Sequence, residues 1–383
     1  MWRAPVLLAV LLVGAETPAA TAQELPRGTV IDEVKCLGDA TQGYALYLPS
    51  AYTPDRAWSV LMAFHPSARG RAMVDKYRAA AEQYDYIVAG SNTSRNGPWS
   101  VSAAAVQAMS SDLGRRFSID AERIYLTGMS GGARVAMQVA LGSNTIAGVI
   151  ASSAGFPDSQ PRRSVPFAVY GTAGTDDFNY VEMRMLDRAL TSPHRLAIFS
   201  GGHTLPTDAV AVEAIEWMEL QAVKSGRRSR DDELLDRLIT RRRQSIDLSN
   251  TPANTVRLLD WLVADFEGLR DVSPEAARVA ALSKQVDVKK ALARERSDDD
   301  AEVRMLSEIL DWEGQLANPD TRFSAFGRLK GRLSQWARQA ESATESPERS
   351  RARRLLGAIV SGAGGRVSDA EYRKLIEQYR RVP

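Results

Sequence analysis

The sequence predicts an α/β protein: a mainly parallel sheet covered by helices, followed by a separate all-α C-terminal domain. Three observations predict this. Short apolar runs rich in β-branched and aromatic residues alternate with helical periods up to about residue 224, the pattern of a doubly covered parallel sheet. Charge then thickens, with 56 of the 159 residues from Ser225 onward being Asp, Glu, Lys or Arg against 40 of the 224 before them, and the β-rich runs stop. Third, Arg123-Ile-Tyr-Leu-Thr-Gly128-Met-Ser130-Gly131-Gly132 reads as strand, sharp turn and helix start with a serine at the apex.

Taken in order, Met1-Trp-Arg3, the apolar run Ala4 to Ala15 and Ala20-Thr-Ala22 before Gln23 have the layout of a signal peptide over residues 1–22. A secreted or periplasmic location is therefore expected. No later segment approaches the roughly 20 apolar residues of a membrane span. Gly28 to Val34 and Tyr44 to Pro49 read as two short strands entering the sheet, Ser59 to His65 as a buried strand and Met73 to Gln83 as a helix. Tyr86 to Gly90 follows as a strand, then the polar loop Ser91 to Trp99 and a helix from Ser102 to Phe117. After the serine turn come strands at Ala147 to Ser153, Val165 to Tyr170 and Arg195 to Phe199, closed by a helix from Pro206 to Val223. Residues 25–224 are thus expected to be the catalytic domain.

Residues 225–383 are expected to be a charged helical domain of six or seven helices, able to fold apart from the first and offered to a protein partner. Ser273-Pro274, Asn318-Pro319 and Ser346-Pro347 place a cap before a first-turn proline, and Ser368-x-x-Glu371 has capping-box spacing. Arg241-Arg-Arg243 and Arg351 to Arg354 read as solvated helix faces. With 49 basic and 47 acidic side chains there is no global field to attract nucleic acid or a membrane surface. One cysteine, Cys36, permits no internal disulfide, and three histidines without clustered cysteines suggest no metal site.

The chemistry expected at Ser130 is nucleophilic. In Gly128-x-Ser130-x-Gly132 the turn forces the serine into a strained conformation and leaves no room for side chains two residues to either side. The N–H of Gly131 would then face a developing oxyanion. A base must come from a loop at the carboxyl end of a strand, which selects His203, after the strand Arg195 to Phe199, over His194 before it. For the acid, Asp176 and Asp177 both follow the preceding strand; Asp177 is the first choice, with Asp176 and then Asp158 as alternatives. The loop His65-Pro66-Ser67-Ala68-Arg69-Gly70 would supply a second oxyanion donor, Ser67 or else Ala68, and Trp99 would wall a substrate pocket.

Phe64-His65-Pro66-Ser67, Asn96-Gly97-Pro98-Trp99, Gly128-Met-Ser130-Gly-Gly132-Ala-Arg134, Gly171-Thr-Ala-Gly-Thr-Asp-Asp177 and Gly202-His203-x-x-Pro206 together resemble the secreted polyhydroxybutyrate-depolymerase and feruloyl-esterase group of the α/β-hydrolases over residues 25–224. The resemblance implies a Ser130, Asp177, His203 triad that hydrolyses carboxylic esters through an acyl-serine, needs no cofactor, and takes an ester-bearing small molecule or polymer side chain. Two departures stand out: His65-Pro66 replaces the usual His-Gly, and the disulfides common in secreted members are impossible here. The competing readings are a catalytically inactive interaction protein whose helical domain binds a partner, and a serine peptidase on the same fold.

Overall fold

A computed structural model describes residues 25–380, so the signal-peptide segment lies outside the described residues. The chain runs through β1 (Val30–Cys36), β2 (Asp39–Tyr47), β3 (Trp58–Phe64), α1 (Gly70–Tyr84), β4 (Tyr86–Ser91), α2 (Trp99–Arg116), β5 (Ile119–Met129), α3 (Gly131–Leu141), β6 (Ile146–Ser152), β7 (Ala168–Gly174), α4 (Tyr180–Ala189), β8 (His194–Phe199) and α5 (Asp208–Lys224). The strands form an eight-stranded sheet in the order β1-β2-β4-β3-β5-β6-β7-β8. β1 and β2 pair antiparallel, β2 joins β4 antiparallel, and every later pairing is parallel. This is the α/β-hydrolase fold. Parallel strands need covered faces, which is why β3, β4, β6 and β7 are buried along their whole length.

Alternation along each strand divides the apolar residues between two cores. Val60, Met62 and Phe64 of β3 face one layer with Val106 and Met109 of α2 and Ala133 and Met137 of α3. Leu61 and Ala63 face the other, with Met73 and Tyr77 of α1 and Ile215, Trp217 and Met218 of α5. Cys36 is buried in the first core, where burial and the nearby Asp112 carboxylate push its thiol up to about 11. It is an inert packed side chain.

One strand lies later than its sequence suggests. The run Val165 to Tyr170 becomes β7 only from Ala168, because Pro166 has no N–H for the ladder, and the strand continues through Gly171 to Gly174. Those glycines serve close approach and not a turn. A Cβ on Gly174 would collide with the carbonyls of Gly201 and Gly202, and one on Gly171 would lie 2.9 Å from the Met183 methyl.

Beyond residue 224 the described chain is all helical: α6 (Asp232–Asp247), α7 (Pro252–Phe266), α8 (Ser273–Leu282), α9 (Val286–Gln315), α10 (Pro319–Ala340), α11 (Pro347–Arg366) and α12 (Ala370–Tyr379). None of the described helices is long and apolar enough to cross a membrane. Asn318 caps α10 through the Asp320 N–H at 3.0 Å, and Ser346 caps α11 through the Arg349 N–H at 3.1 Å. Two expected caps move by one residue. α8 is entered at Val272 while Ser273 hydrogen-bonds Asp271, and α12 is capped by Asp369, a stronger acceptor than Ser368, leaving Glu371 to pair with Arg322.

The change of composition at residue 224 is a change of secondary structure and not of core. Leu234, Leu235, Leu238 and Ile239 of α6 and Leu259, Leu262 and Phe266 of α7 belong to the same buried cluster as Trp217 and Tyr170. Buried Arg195 of β8 pairs with Asp265 of α7, whose other oxygen accepts from the Trp217 indole at 2.9 Å. A second, independent core begins only with α9 to α12, around Ile309, Leu329, Leu333, Trp336, Leu356, Ile359 and Tyr372. Of the Arg241 to Arg243 cluster only Arg242 is largely covered, paired with Glu213; Arg241 and Arg243 stay half-exposed while pairing with Glu216 and Glu275.

The packing revises the expectation that residues up to about 225 would stand alone. Burying one Leu or Phe side chain is worth roughly 1.5–3 kcal/mol, so losing several at once rivals the ~5–15 kcal/mol total stability of a domain. A chain ending near Ser225 should aggregate or melt far below the full chain, whereas one ending near Gln285, which keeps α6 to α8, should stay soluble. Thermal unfolding of the two truncations checks this; equal melting of both would contradict it.

Candidate active site

The serine turn stands at the carboxyl end of β5, the middle of the sheet. Ser130 has φ 53° and ψ −122°, a left-handed region that costs a non-glycine residue about 1–3 kcal/mol unless its surroundings impose it. Its N–H is tied to the Ser152 carbonyl at the end of β6, 2.8 Å away. Its own carbonyl accepts the N–H of Ala133 at 2.9 Å and of Arg134 at 3.2 Å, which starts α3. A Cβ on Gly128 would strike the Gly132 carbonyl, and one on Gly132 would strike the Phe64 carbonyl at the end of β3. A Cβ on Gly131 would strike the Asn96 side chain. Gly128 and Gly132 are therefore fixed by backbone crowding, and Gly131 by the Asn96 side chain, around a half-buried serine. The first amides of α3 have no intrahelical acceptor and carry the positive end of the helix dipole toward that serine.

His203 and Asp177 meet because the loops after β7 and β8 are knitted together. Thr175 N–H donates to the Phe199 carbonyl at 2.9 Å and Asp176 N–H to the Gly201 carbonyl at 2.8 Å. Between these anchors Asp177 is fully buried, and its Oδ1 lies 2.8 Å from His203 Nδ1 while also accepting the Asn179 N–H at 2.8 Å. The Phe178 ring stacks on the imidazole, with centroids 3.8 Å apart and 23° between planes. The neighbours of Ser130 and His203 are linked through the residue after β6. Ser153, itself at φ 60°, donates its hydroxyl to the Thr204 carbonyl at 3.4 Å, and its own carbonyl accepts from the Asn179 side chain at 2.7 Å.

The alternative acids are engaged elsewhere. Asp176 pairs through Oδ2 with Arg353 of α11 at 2.8 Å, and exposed Asp158 is held by Arg162. His194 sits at the amino end of β8, its Nδ1 2.8 Å from the Ser192 carbonyl. Trp99 is the first residue of α2 and is 37% exposed, next to the turn that places Asn96 against Gly131.

The loop after β3 is arranged differently from expectation. Ser67 N–H donates to His65 Nδ1 at 3.0 Å, and Ala68 N–H donates to the His65 carbonyl at 3.1 Å, with Ala68 at φ 55°. Both amides that sequence offered as oxyanion donors thus close their own loop. Asn96 N–H donates to the Pro66 carbonyl at 2.9 Å, which ties this loop to the one carrying Trp99. Burial, with the Arg69 guanidinium 2.9 Å from Nε2, lowers the pKa of His65 to about 4.

Several residues at this site were not singled out from sequence. Phe178, Ser153 and Asn179 carry no spacing signature, although the Asp-Phe-Asn run beside the acid was visible. Arg353 lies 177 residues from Asp176 along the chain, and only the fold brings the two together.

No protein-family model matches the chain, and no curated protein matches it. Solved structures do. The Pyrococcus horikoshii acylaminoacyl peptidase matches at 12% identity over 47% of this chain and 39% of its own length, with TM-score 0.35. A feruloyl esterase module from Clostridium thermocellum, complexed with sinapinate, matches at 12% identity over 49% of this chain and 85% of its own, with TM-score 0.38. A Pyrobaculum calidifontis esterase matches at 13% identity over 52% and 85%, also with TM-score 0.38.

The depressed pKa of His65 has a consequence for stability. Between its ordinary value of 6.5 and about 4 the unfolded chain binds a proton that the folded chain refuses, so stability should fall as pH drops through this window. In His65→Asn the fall in melting temperature between pH 6.5 and pH 4 should be shallower than in the parent. Identical slopes would show that His65 stays unprotonated in neither state preferentially.

Proposed function

We propose that the chain is a serine hydrolase that cleaves carboxylic esters through an acyl-serine intermediate. The observation that carries this reading is the 2.8 Å contact of buried Asp177 with His203, set at the same sheet edge as a serine in a strained elbow. With Nδ1 occupied by the acid, His203 keeps Nε2 for the Ser130 hydroxyl. As Ser130 Oγ attacks the ester carbonyl, His203 accepts its proton, and the Asp177 carboxylate stabilises the imidazolium that forms. Negative charge gathers on the carbonyl oxygen, where the Gly131 N–H at the start of α3 donates to it. Collapse expels the alcohol, which takes the proton from His203. Water, deprotonated by the same imidazole, then attacks the acyl-serine and restores the hydroxyl.

Ser67 becomes the second oxyanion donor only when its N–H leaves His65 Nδ1, a rotation that substrate binding has to drive. With Ser67 N–H held by His65 Nδ1, the helix-end amides are the donors left to the oxyanion. The chain is read as exported to the periplasm or beyond, on the strength of Met1 to Ala22. An amino terminus at Gln23 in protein recovered from an export-competent cell would support this, and an intact Met1 would sink it.

On a short-chain nitrophenyl ester, Ser130→Ala should lower turnover by roughly 10⁴-fold or more while leaving the circular dichroism spectrum unchanged. Asp177→Asn should cost more than Asp176→Asn, since only the former carboxylate holds the imidazole. Ester cleavage that survives Ser130→Ala would remove the serine from the mechanism. A larger loss from Asp176→Asn would remove Asp177 from its role.

A further inference from the structure

We infer that α11, from the charged helical region, is a positioning element for the acid–base pair, acting through Arg353 and Arg354 on the loop that carries Asp177. The inference rests on the hydrolase reading and adds the role of the helical region to it.

One helix grips the acid's neighbours on both sides. Arg353 Nη1 donates to Asp176 Oδ2 at 2.8 Å, and Arg354 Nη1 donates to the Thr175 carbonyl at 2.7 Å, the two residues immediately before Asp177. Immediately after it, Phe178 packs on Gly357, where even an added Cβ would come within 3.3 Å of the Phe178 Cβ. Gly357 lies four residues, about one helical turn, beyond Arg353, so the glycine and the arginine share one face. The grip is itself anchored. Arg354 is 8% exposed, forms a fork with Glu302 of α9, with Nε to Oε1 at 2.8 Å, and stacks over the Tyr180 ring at 4.4 Å. Arg353 Nε also donates to the Ala340 carbonyl at 3.3 Å, the last residue of α10.

The loop spanning Thr175 to Phe178 is therefore clamped between β8's loop on one side and the helical core on the other. Within the first domain the backbone around Asp177 is held by the Thr175 and Asp176 amides, by the Asp177 N–H on the Gly174 carbonyl at 3.1 Å, by the Tyr180 N–H on the Asp177 carbonyl at 2.8 Å and by the Asn179 side chain on the Ser153 carbonyl; α11 adds a hold from the opposite side. A displacement of about 1 Å in a reacting constellation can cost on the order of 10²-fold in rate. Loosening the clamp should thus slow chemistry before it loosens the fold.

Charge must be separated from position. His203 is faced by Asp177 and Phe178, and across a cavity of about 500 Å³ by Asp176, Glu345, Arg353, Tyr379 and Arg380. Removing Arg353 changes the field at the imidazole, and a change of field moves the midpoint of a pH–rate profile. Losing a cation and unpairing Asp176 both favour the imidazolium, so the field alone makes the imidazole a stronger base and does not lower the plateau above that midpoint. A misplaced carboxylate lowers the plateau.

The test is the pH dependence of fluorophosphonate labelling at Ser130 in the full chain, in the parent, in Arg353→Gln and in Arg354→Lys, with thermal unfolding of each. Arg354→Lys keeps the charge opposite Glu302, so that variant is spared an unpaired buried carboxylate. Each variant should lower the plateau roughly tenfold at temperatures where it is fully folded. Exchanging the partners, Asp176→Arg with Arg353→Asp, should recover most of the loss. A plateau equal to the parent's in both single variants, with only the midpoint or the melting temperature moved, overturns the inference while the hydrolase reading stands. A parent chain that is not labelled at Ser130 overturns the hydrolase reading, and the role of α11 with it.

Discussion

The structure depends on how closely three backbones approach at the serine turn. β5, α3 and the end of β3 meet with glycine at 128 and 132, and no other residue fits, because a methyl group at either position would occupy a neighbouring carbonyl. That crowding holds Ser130 at positive φ and lifts it from the strand ends. It also fixes where everything else must come from. The acid and the base that pair beside this serine stand on the loops after β7 and β8, the strands that continue the sheet beyond β6.

The second constraint lies in those loops. They carry few apolar side chains and would wander if left to themselves, but amides from Thr175 and Asp176 bind the carbonyls of Phe199 and Gly201. Gly174 is glycine so that the loops can come within bonding distance. The outer side of the same loop is held by α11, so a region that looks separate in composition is mechanically continuous with the site. Function at the sheet edge and packing in the helical region are one problem. The arginines that read as solvated surface, Arg353 and Arg354, are the joints between them.

Much of this was legible in the sequence because its causes are local. The elbow, the covered parallel sheet and the positions of Asp177 and His203 after strand ends follow from glycine spacing, hydrophobic period and chain order. The rest was hidden for physical reasons. β7 was displaced by three residues because Pro166 breaks the ladder that its apolar neighbours invite. The loop after β3 was expected to offer amides outward, yet His65, neutral by burial, draws the Ser67 N–H to itself. The boundary at residue 224 was inferred from charge, but charge reports the outer face of a helix. The inner faces of α6 and α7 belong to the core around Trp217. Distance along the chain concealed the clamp of α11 on the acid loop, since no local pattern announces a partner some 180 residues away.

The central claim is that Ser130 becomes covalently acylated with His203 as its base. The most direct measurement is rapid acid quench of the protein during turnover of a nitrophenyl ester, followed by peptide mass spectrometry. The account predicts an acyl group on the peptide containing Ser130 in the parent chain, and none in His203→Ala under the same conditions. An acyl group on another residue, or ester turnover in the parent with no acylated peptide at any quench time, would contradict it.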